Sequence, residues 1–318
     1  MLRLALAGLG AILAAVVLAW VFLGSATIPK ETSFTIPAGA SVASVADKLE
    51  AEGLISSASG FVLQARIFGS DTPIQAGEFL LTLDMSQGDI LAAFQSGDVI
   101  RRFVTIPEGM PSILVWERLM AEELLTGEVD VPPEGSILPD TYAFERGQSR
   151  KALVEQMQAA MDKALAEEWG KRAPGIAVDT MRDALTLASI VEKETGKPEE
   201  RRMVAGLYSN RVRTGMKLQA DPTIIYPITK GKPLGRRIKQ SEISAVNGYN
   251  TYTRTGLPEG PITNPGRASI AAVLNPEKTA ALFMVADGTG GHWFASTLAE
   301  HNANVAKWYA IRRQRGEM

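Results

Sequence analysis

Apolar positions along the chain fall into one unbroken run and a series of periodic ones. The unbroken run extends from Leu4 to Leu23, LALAGLGAILAAVVLAWVFL, about 20 residues without a charge. That is the length a helix needs to cross a bilayer. Arg3 precedes the run and Trp20 lies near its far end, where interfacial aromatics are favoured. The pattern predicts a single amino-terminal transmembrane helix, with residues 1–30 as anchor and flank and the body outside the cytoplasm. A cleaved signal peptide ending near Gly24-Ser25-Ala26 is the alternative, although signal cores are usually shorter, roughly 7–15 residues.

The periodic runs begin with a repeat. TIPAGASVASVADKLEAEGLI starts at Thr35 and TIPEGMPSILVWERLMAEELL at Thr105, with Val45/Val115, Leu49/Leu119 and Leu54/Leu124 in matching places and charge kept at Lys48/Arg118. Each copy predicts a short β stretch, a Pro-Gly turn and an amphipathic helix. Either the repeat binds a ligand, or it is a β-turn-α unit used twice. Between the copies, AGEFLLTLDMSQGDILAAFQSGD predicts a strand, a turn and a second helix. Residues 31–98 thus form a small module whose content loosely resembles LysM, a peptidoglycan-binding fold. Residues 99–318 follow as one larger domain that opens with the second copy.

Helical spacing returns over roughly Arg150 to Lys171 and about Asp179 to Thr195. Beyond these the chain is rich in Gly, Pro, Tyr and Asn. LQADPTIIYPI, NGYNTYTRTGLPEGPITNPG and LFMVADGTGGHWFASTLAEHN predict strands joined by ordered loops, with DGTGGH as a hairpin turn. The fold class is α+β, without the alternation of a doubly wound sheet.

Composition narrows the chemistry. The formal charge of −2 gives no global attraction to nucleic acid. There is no cysteine, and His292 and His301 have no metal-ligand spacing. No Walker loop, GxSxG elbow or HExxH motif occurs. The informative stretch is ASIVEKET at Ala188 to Thr195. At about 100° per residue, Glu194 projects between Leu187 and Ile190, near the middle of the apolar stripe, whereas Glu192 falls about 160° away at its edge. A carboxyl on an apolar stripe is desolvated, which raises its pKa and suits a general acid near neutral pH. A helix end that turns Glu194 out to solvent is the alternative. Gln219, Asp221, Tyr226, Tyr249, Asn250, Thr251 and Tyr252 cluster in the polar, aromatic loops. Such residues suit a sugar chain, though each is also a common loop stabiliser.

SIVEKET, NRVRTGMKLQADPTIIY, YNTYTRTGLPEGPITNPG, FMVADGTGGHWFASTLAEHN and EGSILPDTY, with the repeat and the single anchor, resemble the endolytic murein transglycosylases, the YceG-like family. The resemblance covers nearly the whole chain. It implies Glu194, the second Glu of Glu-Lys-Glu, as the catalytic acid, and a LysM-like module ahead of the catalytic domain. It also implies non-hydrolytic cleavage of the β-1,4 bond between N-acetylmuramic acid and N-acetylglucosamine, leaving 1,6-anhydro ends and terminating strand elongation. Gln219, Asp221, Tyr226, Tyr249, Asn250, Thr251 and Tyr252 are the candidates for holding substrate. No metal or organic cofactor is expected. The expected partners are peptidoglycan glycan strands, the bacterial cytoplasmic membrane through the anchor, and peptidoglycan synthases, with no nucleic acid. Two other readings stay open: a scaffold that binds peptidoglycan without chemistry, and a two-carboxylate hydrolase assisted by Asp221 or Asp140.

Overall fold

The computed structural model describes residues 26–317 and, ahead of them, Val16 alone. The predicted anchor, 4–23, therefore lies outside the described residues apart from Val16. No helix among the described residues is long and apolar enough to cross a membrane. The fold is α+β, with three two-stranded sheets among the described residues, and it divides into two compact units.

Among the described residues, the first unit comprises those up to Arg102 together with Ala143–Gly147. Its elements are β1 (Thr32–Ile36), α1 (Val42–Ala51), α2 (Ala58–Phe68), β2 (Gly77–Leu81) and α3 (Gln87–Ser96). β1 pairs antiparallel with β2, Phe34 facing Phe79. Phe34, Phe79 and Phe94 gather at ring distances of 5.7 and 4.8 Å and pack with Val45, Leu49 and Phe61. Serines start all three helices: the side chains of Ser41, Ser57 and Ser86 accept from backbone N–H groups that a helix start leaves unpaired. Glu78 is buried beneath Arg102 at 2.7 Å and Arg146 at 3.0 Å. Burial opposes its charge, but hydrogen bonds from both arginines and from Ser33 outweigh that and hold its carboxyl below the usual range.

The second unit comprises Phe103–Tyr142 and the described residues from Gln148 onward. Around its first boundary come β3 (Arg102–Thr105), α4 (Ser112–Ala121) and β4 (Thr141–Phe144), which pairs with β3. The two copies of the repeat share one local structure. Gly39 and Gly109 take φ of 77° and 70° in the turns, a left-handed conformation that favours glycine. The matched valines and leucines, Val45/Val115 and Leu49/Leu119, are buried. Lys48 Nζ donates to the Thr35 carbonyl at 2.7 Å, and Arg118 Nη1 donates to the equivalent carbonyl of Thr105. This contact closes each β-turn-α unit on itself, and it accounts for the matched basic positions without a ligand.

The core of the second unit is helical. It contains α5 (Arg150–Gly170), α6 (Met181–Glu194), α7 (Arg201–Arg213) and α10 (Arg267–Leu274), which bury Leu187, Ile190, Val191, Leu207, Ile270 and Val273 among them. Between α7 and α10 lie α8 (Pro222–Thr229) and one helical turn, α9 (Gln240–Ile243). A hairpin of β5 (Phe283–Ala286) and β6 (His292–Ala295) follows, its turn formed by DGTGG as the sequence predicts, and α11 (Leu298–Gln314) ends the fold. Two predictions differ: NGYNTYTRTGLPEGPITNPG is ordered loop with no strand, and TIIYPI is helical rather than extended. Pro222 occupies the first helical position, where its missing N–H is harmless. Burial of Thr223, Ile224 and Tyr226 then overrides the β propensity of the run.

Candidate functional site

α6 is capped by Thr180, whose Oγ1 accepts from Asp183 N at 3.0 Å. Its apolar face is fully buried, and Glu194 is its last residue before Thr195 turns extended. Glu194 is walled in by protein on most sides yet keeps part of its surface open, so the side chain is turned inward and still reachable. Burial pushes its carboxyl up to about 7, and the negative charge of Asp221 adds to that. A hydrogen bond with Tyr208 and the charge of Arg211 pull the other way and lose. The position at a helix C-terminus also disfavours a carboxylate.

Tyr208 and Arg211 stand one turn apart on α7. Tyr208 is buried; burial, then the neighbouring Glu194 charge, hold its proton well above the ordinary phenol range, so it is a hydrogen-bond donor to Glu194 at any physiological pH. Arg211 is buried as well. Its Nε donates to Leu282 O at 2.7 Å, and its Nη1 to Leu218 O at 2.5 Å and Lys217 O at 3.4 Å. Three carbonyls therefore fix the guanidinium near Glu194 without neutralising it. Sequence reasoning passed over both residues. Their one-turn spacing in YSNR was a signal, but only the packing of α7 on α6 gives it a target.

The loop candidates separate into three groups. Asp221 and Tyr252 belong with Glu194: the Tyr252 hydroxyl donates to Asp221 Oδ1 at 2.6 Å, and the Asp221 charge reaches Glu194. Gln219 sits on the same strand of chain with an exposed side chain and φ of 52°. Outside glycine that left-handed conformation costs on the order of 1–2 kcal/mol, and here the bond from Gln219 N to Thr251 O at 3.2 Å helps to hold it. Strain of this kind gathers at functional sites.

Tyr226 and Tyr249 form a second group, with ring centroids 4.8 Å apart. Tyr226 hydrogen-bonds Glu134, whose carboxyl burial pushes up to about 7 despite the Ser112 N–H donated at 2.9 Å. Glu134 lies in EGSILPDTY and was not singled out as an acid, because nothing in that stretch marks it as buried. Asn250 and Thr251 form the third group, and both are fully buried. Asn250 Nδ2 donates to the carbonyls of Glu242, Ile243 and Ala245, and its Oδ1 accepts from Tyr252 N at 2.9 Å. Thr251 Oγ1 accepts from Ala220 N at 3.0 Å and lies 2.8 Å from Thr223 Oγ1. Their polar atoms are engaged in shaping the loops that carry Tyr252 and Gln219.

The other acids have structural partners. Glu192 accepts from Gly266 N at 2.9 Å, at the start of α10, and lies 3.8 Å from Arg201. Asp140 accepts from Thr141 N at 2.7 Å. His292 pairs with Glu200 at 2.8 Å, and no group of His, Cys, Asp and Glu among the described residues could hold a metal.

A model of the YceG-like family matches residues 34–307 of this chain. The chain belongs to the YceG-like family. Among similar proteins, the endolytic murein transglycosylase of Streptococcus pneumoniae is 29% identical over 87% of this chain. That match covers 58% of the pneumococcal protein's own length. The endolytic murein transglycosylase of Bacillus subtilis is 26% identical, covering 89% of this chain and 86% of the relative. The crystal structure of a YceG-like protein from Listeria monocytogenes superposes with a TM-score of 0.53 at 28% identity, covering 86% of this chain and 99% of that one. In this YceG-like chain the matched region holds Glu194, Tyr208, Arg211 and Asp221 alike.

Proposed function

We propose that this chain is a lytic transglycosylase acting endolytically on peptidoglycan glycan strands, with Glu194 as both acid and base. The observation that carries the reading is one reachable carboxyl, lifted to about 7 and held between a tyrosine donor and a fixed arginine. Glu194 gives its proton to the glycosidic oxygen as the bond from that oxygen to C1 of N-acetylmuramic acid breaks. The carboxylate left behind then takes the proton of the C6 hydroxyl as O6 bonds to C1. The ring closes to a 1,6-anhydro sugar, Glu194 regains its proton, and no water is consumed. Tyr208 and Arg211 steady the carboxylate between the two steps. Gln219, Asp221 and Tyr252 line the approach to the acid, Tyr226 and Tyr249 offer ring faces, and Asn250 and Thr251 support the loops. The similar proteins of Streptococcus pneumoniae and Bacillus subtilis, both endolytic murein transglycosylases, support this reading.

Asp221 favours a second reading, hydrolysis with Asp221 activating water, as two-carboxylate glycosidases do. Digestion of uncrosslinked strands in ¹⁸O-labelled water separates the two. Mass spectrometry should find anhydro ends without the label; predominantly labelled reducing ends would establish the hydrolase. An intramolecular hydroxyl held in place reaches effective molarities on the order of 10⁵ M or more, which lets it outcompete water. The pH profile has a definite sign. Glu194 must start protonated and its carboxyl titrates at about 7, so kcat/KM should fall about tenfold per pH unit above that point. A profile that rises through neutrality would contradict its role as acid.

The βααβ order and antiparallel β1–β2 pair of the first unit support a LysM-like, glycan-binding role for residues 31–98. Deleting them should weaken retention on purified sacculi while some cleavage persists, and unchanged retention would leave the module a purely structural part. The apolar run at 4–23 supports anchoring in the cytoplasmic membrane with the body outside. There the enzyme would meet nascent strands beside the peptidoglycan synthases. Fractionation with protease access in spheroplasts tests this placement, and a soluble, amino-terminally trimmed protein would oppose it.

A further inference from the structure

A groove of about 490 Å³ in the second unit, lined in part by the residue before Glu194 and the residue after Asp221, is not used by the chemistry above. Its walls are the turn of the second repeat copy, the first turns of α4 and α8, and the segment after α8. Met110, Pro111, Leu114, Ile225, Leu234 and Ile262 make it apolar. Its construction is specific. Gly231, at φ of 84°, lies so close to Pro111 that a β-carbon there would stand 2.7 Å from the proline ring. A larger residue would push the two walls apart.

Two of the groove's lining residues adjoin the candidate site in sequence. Lys193 and Pro222 line it, and they are the immediate chain neighbours of Glu194 and Asp221. Two lysines also line it, and they differ. Lys232 is paired with Glu117. Lys193 is exposed, reaches only the Gly109 carbonyl at 3.4 Å, and has no carboxylate partner among the described residues. The groove therefore offers apolar walls, one lysine without a carboxylate partner among the described residues, and one carboxylate, Glu108, which Arg201 pairs at 3.4 Å. It complements a short, small-side-chain peptide that carries carboxylates and branches from the sugar being cleaved.

We propose that this groove is a subsite for the peptide stem borne by the N-acetylmuramic acid at the cleavage point, with Lys193 pairing a stem carboxylate and Leu114 and Ile225 covering its methyl groups. The proposal rests on the transglycosylase reading for its substrate. It makes the enzyme selective for strands whose stems have not been removed.

The test uses the full chain and two substrates, uncrosslinked strands with intact stems and the same strands stripped by an amidase. KM and kcat are followed as anhydro ends appear. Each buried methylene contributes about 0.8 kcal/mol and an exposed ion pair up to about 1 kcal/mol, so KM for stem-bearing strands should be at least about tenfold lower. Leu114→Trp fills the groove and should raise that KM to the stripped value, with kcat and cleavage of stripped strands unchanged. Lys193→Gln should raise it about threefold to fivefold, on stem-bearing strands only. If Leu114→Trp unfolds, as its thermal transition would show, Lys193→Gln alone decides. Equal KM for both substrates in the wild type, or a Lys193→Gln effect shared equally by both, overturns the subsite. Anisotropy of a fluorescent free stem peptide gives a readout independent of turnover. Saturable binding weakened about threefold to fivefold in Lys193→Gln supports the groove even if no anhydro ends form, an outcome that would fail the transglycosylase reading alone.

Discussion

Glu194→Gln should leave a folded protein that still binds glycan and has lost nearly all cleavage. Glutamine keeps the volume and can still accept from Tyr208, but it has no proton to give. General acid–base catalysis is worth typically about 10²–10⁴-fold. One carboxyl serving both proton transfers places the expected loss in kcat/KM at the upper end of that range. Stability should not fall with it. The wild-type carboxyl is raised from 4.5 to about 7, so the folded state binds the extra proton between those values. Its favourable contribution is present below about 4.5 and is lost as pH rises toward 7. At pH 8 the variant, with no charge to bury, should therefore melt no lower than the wild type. Glu192→Gln is the control. It loses charge from the Gly266 N–H contact and from Arg201, so it should melt lower while keeping most of the activity. A reversal of the two phenotypes would move the acid to Glu192 and overturn the mechanism.

That contrast follows from a feature legible in the sequence. Two acids one residue apart on a helix point about 160° from each other by projection, and the fold gives them different partners: Tyr208 and Arg211 beside one, Arg201 and Gly266 beside the other. The repeat was legible for the same kind of reason, since its periodicity, its turn glycine and its matched cation are all local. Residues whose roles depend on long-range packing were not. Tyr208 and Arg211 look like ordinary members of a polar helix until α7 is laid on α6. Glu134 is just one of many acids until Ser112 and Tyr226 enclose it. Asn250 and Thr251 have the side chains expected of sugar ligands, yet the loop turns both inward, where the carbonyls of Glu242, Ile243 and Ala245 and the N–H of Ala220 claim them. Composition alone cannot distinguish an amide that meets a ligand from one that holds a loop. At α8 the failure was of another kind: local β propensity was read correctly and tertiary burial overrode it.

Arg211→Met should damage both stability and the pH profile, and the combination is what marks its role. Methionine keeps much of the apolar stem but leaves the carbonyls of Leu282, Leu218 and Lys217 without their donor. Each buried acceptor left unpaired costs about 1–3 kcal/mol, so a loss of roughly 2–4 kcal/mol is expected after partial relaxation. For a unit of this size, roughly 2–4 °C of melting temperature accompanies each kcal/mol. The Lys217–Leu218 carbonyls also lead directly into Gln219, so the strained turn there should loosen with the guanidinium gone. The electrostatic effect is separate. Arg211 lowers the pKa of Glu194, and without it the descending limb of kcat/KM should move above 7. The rate below the limb should fall as well, because the carboxylate formed on proton donation has lost its nearest fixed cation. Tyr208→Phe provides the comparison: it also removes an interaction that lowers the pKa of Glu194, but it leaves no backbone carbonyl stranded. It should shift the limb upward with a much smaller change in melting temperature. If Arg211→Met lowered the melting temperature and left the limb where it was, Arg211 would be a scaffold residue only. Glu194 would then have to return through its carboxylate state with Tyr208 as its sole support.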